Sequence, residues 1–272
     1  MLIDFHTHAF PDAIASRSIT ALKAGIKSQM GEEYEAYTDG TVSSLEKTMQ
    51  ENGVTKSVVL PVVTKVSQTA TINAFAKTLR NDRILSFAGV HPMDERIEET
   101  LEQIKEDGFI GIKMHPEFQQ AYVDSPEMIK IFKKAEELGL YTVIHCGNDI
   151  GLPPPVHATP QRIFNLLEHI DGKYLIGAHL GGFGLWEDVR KYLVGSPMYF
   201  DTAMLYRFID RDLYRDIIKG HGADHILFGS DCPWERPSDT LSGLNELELS
   251  ESEMTMITSE NACRILGIGK RD

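Results

Sequence analysis

Eight short runs rich in Val, Ile, Leu and aromatic residues recur along the chain, each ending in Gly, Pro or a polar cluster. They span 2–8 (LIDFHTH), 56–63 (KSVVLPVV), 84–92 (ILSFAGVHP), 109–116 (FIGIKMHP), 140–147 (LYTVIHCG), 174–182 (YLIGAHLGG), 198–203 (MYFDTA) and 225–233 (HILFGSDCP). Near-continuous apolar runs of this length predict strands buried on both faces, as in a parallel sheet. Between them the period becomes helical. Ser125-Pro126 reads as an N-cap with a first-turn proline, and Gly139 as the stop. Thr159-Pro160 opens a second helix with Ile163, Leu166, Leu167 and Ile170 on one face and Gly172 behind it. Ser250 and Glu253 are spaced as a capping box.

Strands spaced mostly by one helix each predict an α/β fold, a single (β/α)8 TIM-like barrel covering 1–272, and barrels of this kind run to about 250 residues. An open, doubly wound sheet would need a glycine-rich phosphate turn after an early strand, and the first run is followed instead by HTHAFPD. The stretch 9–45 is too long for an ordinary loop. It predicts a partly helical insertion after the first strand, a distortion of the barrel with the position of a lid.

Charge narrows the partners. The formal net charge of −13 disfavours binding to a phosphate backbone, so no nucleic acid is expected. No run of about 18 apolar residues occurs and the N-terminus lacks a signal-peptide pattern, so no membrane partner and a cytoplasmic setting are expected. Cys146, Cys232 and Cys263 lack metal or disulfide spacing and fit a reducing environment. A homo-oligomer is compatible with all of this.

In a barrel the chemistry lies at the C-terminal ends of the strands. Of ten histidines, His6, His8, His91, His115, His145 and His179 fall at such ends, while His157, His169, His221 and His225 do not. Residues two apart on a strand point the same way, so His6 and His8 can converge on one ion, and Lys113 shares a face with His115. His145, His179 and Asp231 come from further runs around the ring. Imidazoles with a carboxylate suit Zn²⁺, with Mn²⁺ or Fe²⁺ at higher coordination.

Each residue also has a plainer reading. A strand-end histidine can be a hydrogen-bonded core residue, Asp231 can cap a turn, and Lys113 can snorkel to solvent. Gln119 and Trp234 are placed to line a pocket or simply to pack a loop. Asp4 and Asp201 can bond ligating imidazoles or local backbone groups. Strand parity turns Cys146 and Cys232 toward the helix layer as small buried hydrophobes.

The ordered set DFHTH, GIKMHP, VIHCG, GAHLGG and FGSDCPW, with SENACRILGI at the end, resembles the amidohydrolase superfamily in its amidohydrolase-related (amidohydrolase-2) branch of metal-dependent hydrolases and decarboxylases. The resemblance implies a distorted barrel with a divalent metal on His6, His8, His145 and Asp231, and His179 as acid/base or carbonyl polariser. The expectation is one Zn²⁺, with Lys113 and His115 contacting substrate. A second metal bridged by a carbamylated Lys113 is the alternative.

The first functional hypothesis is hydrolysis of a small-molecule amide, ester or lactone by a metal-activated water. Asp231 moves the proton, His179 polarises the carbonyl and Lys113 anchors a substrate carboxylate. The second is a non-oxidative decarboxylase or lyase of a carboxylated aromatic or enoic acid at the same site. The third, a barrel that binds metal without catalysis, would not need a carboxylate base beside an open metal position.

Overall fold

The computed structural model describes residues 1–269. Its strands are β1 (Ile3–Thr7), β2 (Lys56–Val59), β3 (Ile84–Ser86), β4 (Ala88–Gly89), β5 (Gly111–Met114), β6 (Tyr141–Ile144), β7 (Leu175–Gly177), β8 (Tyr199–Asp201) and β9 (Ile226–Leu227). All are parallel, in the orders β1-β2-β3 and β4-β5-β6-β7-β8-β9. Both joins between these groups carry backbone bonds. β3 and β4 are halves of the run 84–92, interrupted at Phe87, whose N–H still donates to Val59 O (3.0 Å). At the other end Phe5 N donates to Phe228 O (2.8 Å), Asp231 N to His6 O (2.8 Å) and His8 N to Cys232 O (2.7 Å). Strand hydrogen bonding therefore runs around the ring, as the eight apolar runs predict.

The ladders are shorter than the apolar runs, and the reason bears on the site. His179, Leu180 and Asp231 have φ of 57°, 56° and 64°, left-handed values that cannot continue a strand. Non-glycine residues held there store strain, and such positions concentrate where side chains must be aimed. Bulk is controlled as tightly: a Cβ on Gly111 would sit 2.4 Å from the Phe87 ring and 2.5 Å from Tyr141 O.

The apolar faces bury as their spacing predicts. Ile131, Phe132, Ile163, Leu166, Val189 and Ile217 from the surrounding helices pack with Ile112, Met114, Ile144 and Cys146 from the sheet. Ile3, Phe5, Val58, Val143, Ile176 and Leu227 pack with Ala262 and Leu266 of the helix Asn261–Leu266. The caps hold as well. Ser125 accepts from Met128 N (3.4 Å), Thr159 accepts from Arg162 N (3.3 Å), and Ser250 and Glu253 form the full capping box. The helix after Pro160 ends at Leu167, so Ile170 lies in the turn beyond it.

The insertion holds one long helix, Asp12–Met30, followed by an irregular stretch and the helix Val42–Glu51. Its base is pinned by Phe10 N donating to Gly40 O (2.8 Å). From there it reaches two sides of the mouth. Tyr37 N donates to Pro233 O (2.7 Å) beside β9, and Gly25 approaches Gly151 O in the loop after β6 so closely that a Cβ would lie 3.0 Å away. Among the described residues no helix is long and apolar enough to cross a membrane.

Candidate metal centre and active site

β1 delivers His6 and His8 to the mouth, and their outer nitrogens fix what their inner ones can do. His8 Nδ1 lies 2.9 Å from the Leu60 carbonyl, which can only accept, so Nδ1 carries the proton. His6 Nδ1 lies 2.7 Å from Asp201 Oδ2 and is a donor by the same logic. In the neutral rings, Nε2 of each is then a lone pair. These lone pairs face Asp231 Oδ1, at 3.0 Å from His8 and 3.5 Å from His6. That oxygen is buried and has no hydrogen-bond donor. Three electron-pair donors within 4.8 Å of one another, two nitrogens and one oxygen, repel until a cation lies among them. The donor set fits Zn²⁺ or Mn²⁺.

Electrostatics agree. Burial, reinforced by Lys113, pushes His6 well below the usual imidazole range, which keeps its lone pair available. Burial opposes charge on Asp231, but positive charge on the adjoining His6 and His8 rings outweighs it and holds the carboxyl below the ordinary range, a charge that a cation bound by the neutral rings would supply in its place. Lys113 is 1% exposed, with Nζ 3.4 Å from His6 Nε2. Burial lowers its pKa, partly offset by Asp201 and Asp231.

His145 does not join these three. Its ligand atom groups with those of His115 and Asp149 in a second set within 4.8 Å. It reaches the first set through His179, whose Nε2 lies 3.0 Å from His145 Nδ1 and whose ring centroid lies 5.3 Å from that of His6. His179 is firmly held. Its Nδ1 donates to Ala203 O (3.0 Å), its N–H donates to Asp201 Oδ1 (2.8 Å), and Trp186 Nε1 donates to its carbonyl (3.2 Å). His145 Nε2 faces Asn148 O (3.2 Å). The turn after His145 depends on Gly147, at φ 80°, where a Cβ would lie 2.2 Å from Phe183 N.

Asp201 thus bonds an imidazole as well as backbone, while Asp4 bonds backbone and hydroxyl only. Asp4 Oδ1 accepts from Ser230 N (2.9 Å) and His6 N (3.3 Å), Oδ2 accepts from Ser230 Oγ (2.5 Å), and burial raises its carboxyl to about 7. His91 accepts from Met93 N (3.2 Å), away from the cluster.

His115 stacks on His145 at 4.2 Å and pairs through Nε2 with Asp149 Oδ2 (3.3 Å). Gln119 does not reach toward a ligand. Its amide donates to Val63 O (3.0 Å) and Val90 O (2.7 Å) and accepts from His115 N (3.1 Å), which makes it a brace for His115. Trp234 is half-buried against the main core, with its backbone N–H donating to Asp231 O (2.8 Å).

Sequence reasoning passed over Asp149, Glu117 and Glu235. Asp149 stands four residues past His145, close enough for the strand-end rule to find it. Glu117 and Glu235 are buried, and burial raises both carboxyls to about 7. Each keeps one oxygen, Oε2, without a hydrogen-bond partner.

No curated protein sequence matches the chain. Solved structures do, and three of them each align at 18% identity over 98% of this chain. A 2,6-dihydroxybenzoate decarboxylase complexed with 2,6-dihydroxybenzoate aligns over 99% of its own chain with a TM-score of 0.71. A probable 2-pyrone-4,6-dicarboxylic acid hydrolase from Acinetobacter baumannii with citric acid bound aligns over 99% at 0.67. A dihydroxybenzoic acid decarboxylase from Polaromonas sp. JS666, with bound manganese and an inhibitor, aligns over 96% at 0.68. These relatives share the TIM-barrel architecture. The sequence profile of the amidohydrolase family (amidohydrolase-2) spans residues 3–268, so the chain that brings His6, His8 and Asp231 together belongs to that family.

Proposed function

We propose that the chain is a metal-dependent hydrolase of a small carboxylated amide, ester or lactone. The observation that carries this reading is the buried, donorless Asp231 Oδ1 facing two imidazole lone pairs. A divalent ion held by His6, His8 and Asp231, Zn²⁺ or Mn²⁺, would act as a Lewis acid that lowers the pKa of a water toward about 7 and polarises a carbonyl.

The chain's own groups do the rest. Asp231, kept ionised, accepts the proton of the attacking water and returns it to the leaving group. A proton on Nε2 of His179, whose Nδ1 is committed to Ala203 O, would make that nitrogen a donor, held by the left-handed turn at its own backbone toward the charge that develops on the carbonyl oxygen. Lys113, reaching the set beside His6, is placed as a point charge for a carboxylate. His115 is braced by Gln119 and Asp149 to form the wall on the β5 side.

Decarboxylation is the second reading, favoured by the His145–His179 pair. Each ring has one nitrogen on a carbonyl, so the two nitrogens 3.0 Å apart meet lone pair to lone pair unless a cation lies between them. A shared proton there would supply the acid that a departing carboxylate leaves carbon needing.

The test is turnover of a panel of lactones, esters, amides and carboxylated aromatics in ¹⁸O-water by metal-loaded protein. Label in the product, lost in Asp231→Asn, supports hydrolysis. CO₂ without label supports the second reading. Equal turnover by metal-stripped and metal-loaded protein would sink both.

A further inference from the structure

Two connections hold the insertion at the mouth. From the one after β9, Pro233 O accepts from Tyr37 N (2.7 Å) and the Arg236 guanidinium carbon lies 4.2 Å from the Tyr37 ring centroid. From the one after β8, Arg207 Nη2 donates to Tyr37 Oη (2.9 Å) and Phe208 stacks on Tyr34 (6.3 Å). Between Pro233 and Arg236, the two residues that grip Tyr37, the chain buries an acid. Glu235 is 2% exposed.

That carboxyl is poorly compensated. Its Oε1 accepts from Thr240 Oγ1 (2.6 Å), while Oε2 has no hydrogen-bond partner. Among the described residues it forms no ion pair, and it bonds none of His6, His8 and Asp231. The groups that face it are acids and phenols. Asp231 precedes it on its own connection, Asp239 stands on the helix Pro237–Asn245, Tyr214 comes from the helix Arg211–His221 and Tyr34 from the insertion. Arg207 acts on Tyr34, and its guanidinium is committed to Tyr37 Oη. Burial raises the Glu235 carboxyl to about 7, with the Thr240 hydroxyl and the Tyr206 backbone opposing and Asp231 and Asp239 reinforcing.

We propose that Glu235 is a proton-operated latch for the insertion. With its proton, the side chain stays buried and the connection 233–236 keeps its hold on Tyr37. Without it, a buried carboxylate that lacks a cation draws this short connection into water, and Pro233 O and Arg236 leave Tyr37 with it. The insertion is then loosened on the β9 side, so the state of one carboxyl governs access to the mouth whichever bond the site breaks. Released into water the group titrates near 4.5, and latched near 7. Latching is therefore full below about 4.5, weakens as pH rises to about 7 and levels off above it.

The test is hydrogen exchange of the Tyr37 amide in the full chain, followed by mass spectrometry from pH 5 to pH 8. Rates are expressed as protection factors, so the intrinsic pH dependence of exchange drops out. Protection is expected to fall about 30- to 100-fold across this range in wild type. In Glu235→Gln, which keeps an acceptor for Thr240 and cannot ionise, it should change by about threefold or less. Thr240→Val removes a donor that favours the carboxylate and should move the fall to higher pH. Parallel profiles in wild type and Glu235→Gln, or an unshifted profile in Thr240→Val, would overturn the latch. So would an equal fall in the amides of β6, which would make the change a loosening of the whole barrel.

Discussion

His8 Nε2 and Asp231 Oδ1 face each other at 3.0 Å with no proton between them, because the His8 proton is committed to the Leu60 carbonyl on the other side of the ring. The metal-free protein therefore carries a repulsive contact that a cation relieves. Metal at about 1,000 times its Kd should raise stability by about 4 kcal/mol, a Tm gain of about 10 °C. Asp231→Asn separates the two effects: its amide N–H can donate to His8 Nε2, so the metal-free variant should melt at or above metal-free wild type yet gain almost nothing from metal. Differential scanning calorimetry with and without Zn²⁺ or Mn²⁺ checks both. A metal-free variant melting well below wild type would show that the contact is not repulsive.

Asp201 sets the tautomer of His6 through the 2.7 Å bond to Nδ1 and also accepts from the backbone of His179 and Ala203. In Asp201→Asn the side-chain oxygen can still serve the backbone donors, but the amide nitrogen then turns a donor toward Nδ1 and favours the proton on Nε2, the nitrogen proposed to hold metal. Metal affinity should fall about 10- to 100-fold with little loss of fold. Metal titration by calorimetry decides it, and unchanged affinity would remove Asp201 from the site's support.

Gly147 bears the close approach of the His145 strand end to Phe183. A side chain there meets Phe183 N at 2.2 Å and must adopt φ 80°. Both penalties act together, so Gly147→Ala should destabilise by at least about 3 kcal/mol. Urea denaturation midpoints measure this, and a loss within about 1 kcal/mol would mean that the 147–183 contact is soft.

Strand-end chemistry was legible because it depends on short-range rules. A period of two puts His6 and His8 on one face, and the barrel architecture puts His115, His145, His179 and Asp231 at the same mouth. Parity also placed Cys146 correctly, among Leu166, Ala158 and Ile144. It could not separate Asp4 from Asp201. Both point toward the site, and only the neighbouring strands and the β9 loop decide that Asp201 meets a ring while Asp4 meets Ser230. Gln119 illustrates the converse. Its position past a strand end suggested a pocket, but two nearby backbone carbonyls needed donors and claimed its amide.

His221 couples stability to pH away from the metal centre. It is 8% exposed, stacks on Phe200 at 4.0 Å, donates through Nε2 to Met198 O (2.9 Å) and accepts at Nδ1 from Gly195 N (3.2 Å). Only the neutral ring satisfies both bonds, and burial lowers its pKa to about 4 despite the Met198 carbonyl. The unfolded chain takes up this proton near 6.5 and the folded chain near 4, so stability is full above about 6.5, declines as pH falls through the interval and levels off below about 4. The total loss should be about 3 kcal/mol. In His221→Gln, which retains hydrogen-bonding capacity but cannot titrate, the fall in unfolding free energy from pH 7 to pH 4, measured by urea denaturation, should be smaller by that amount, because every other titrating group acts alike in both proteins. Metal-free protein is the right material, since acid would also protonate the imidazoles proposed to hold the metal. Parallel pH profiles for the two proteins would show that His221 is protonated as readily in the fold as outside it.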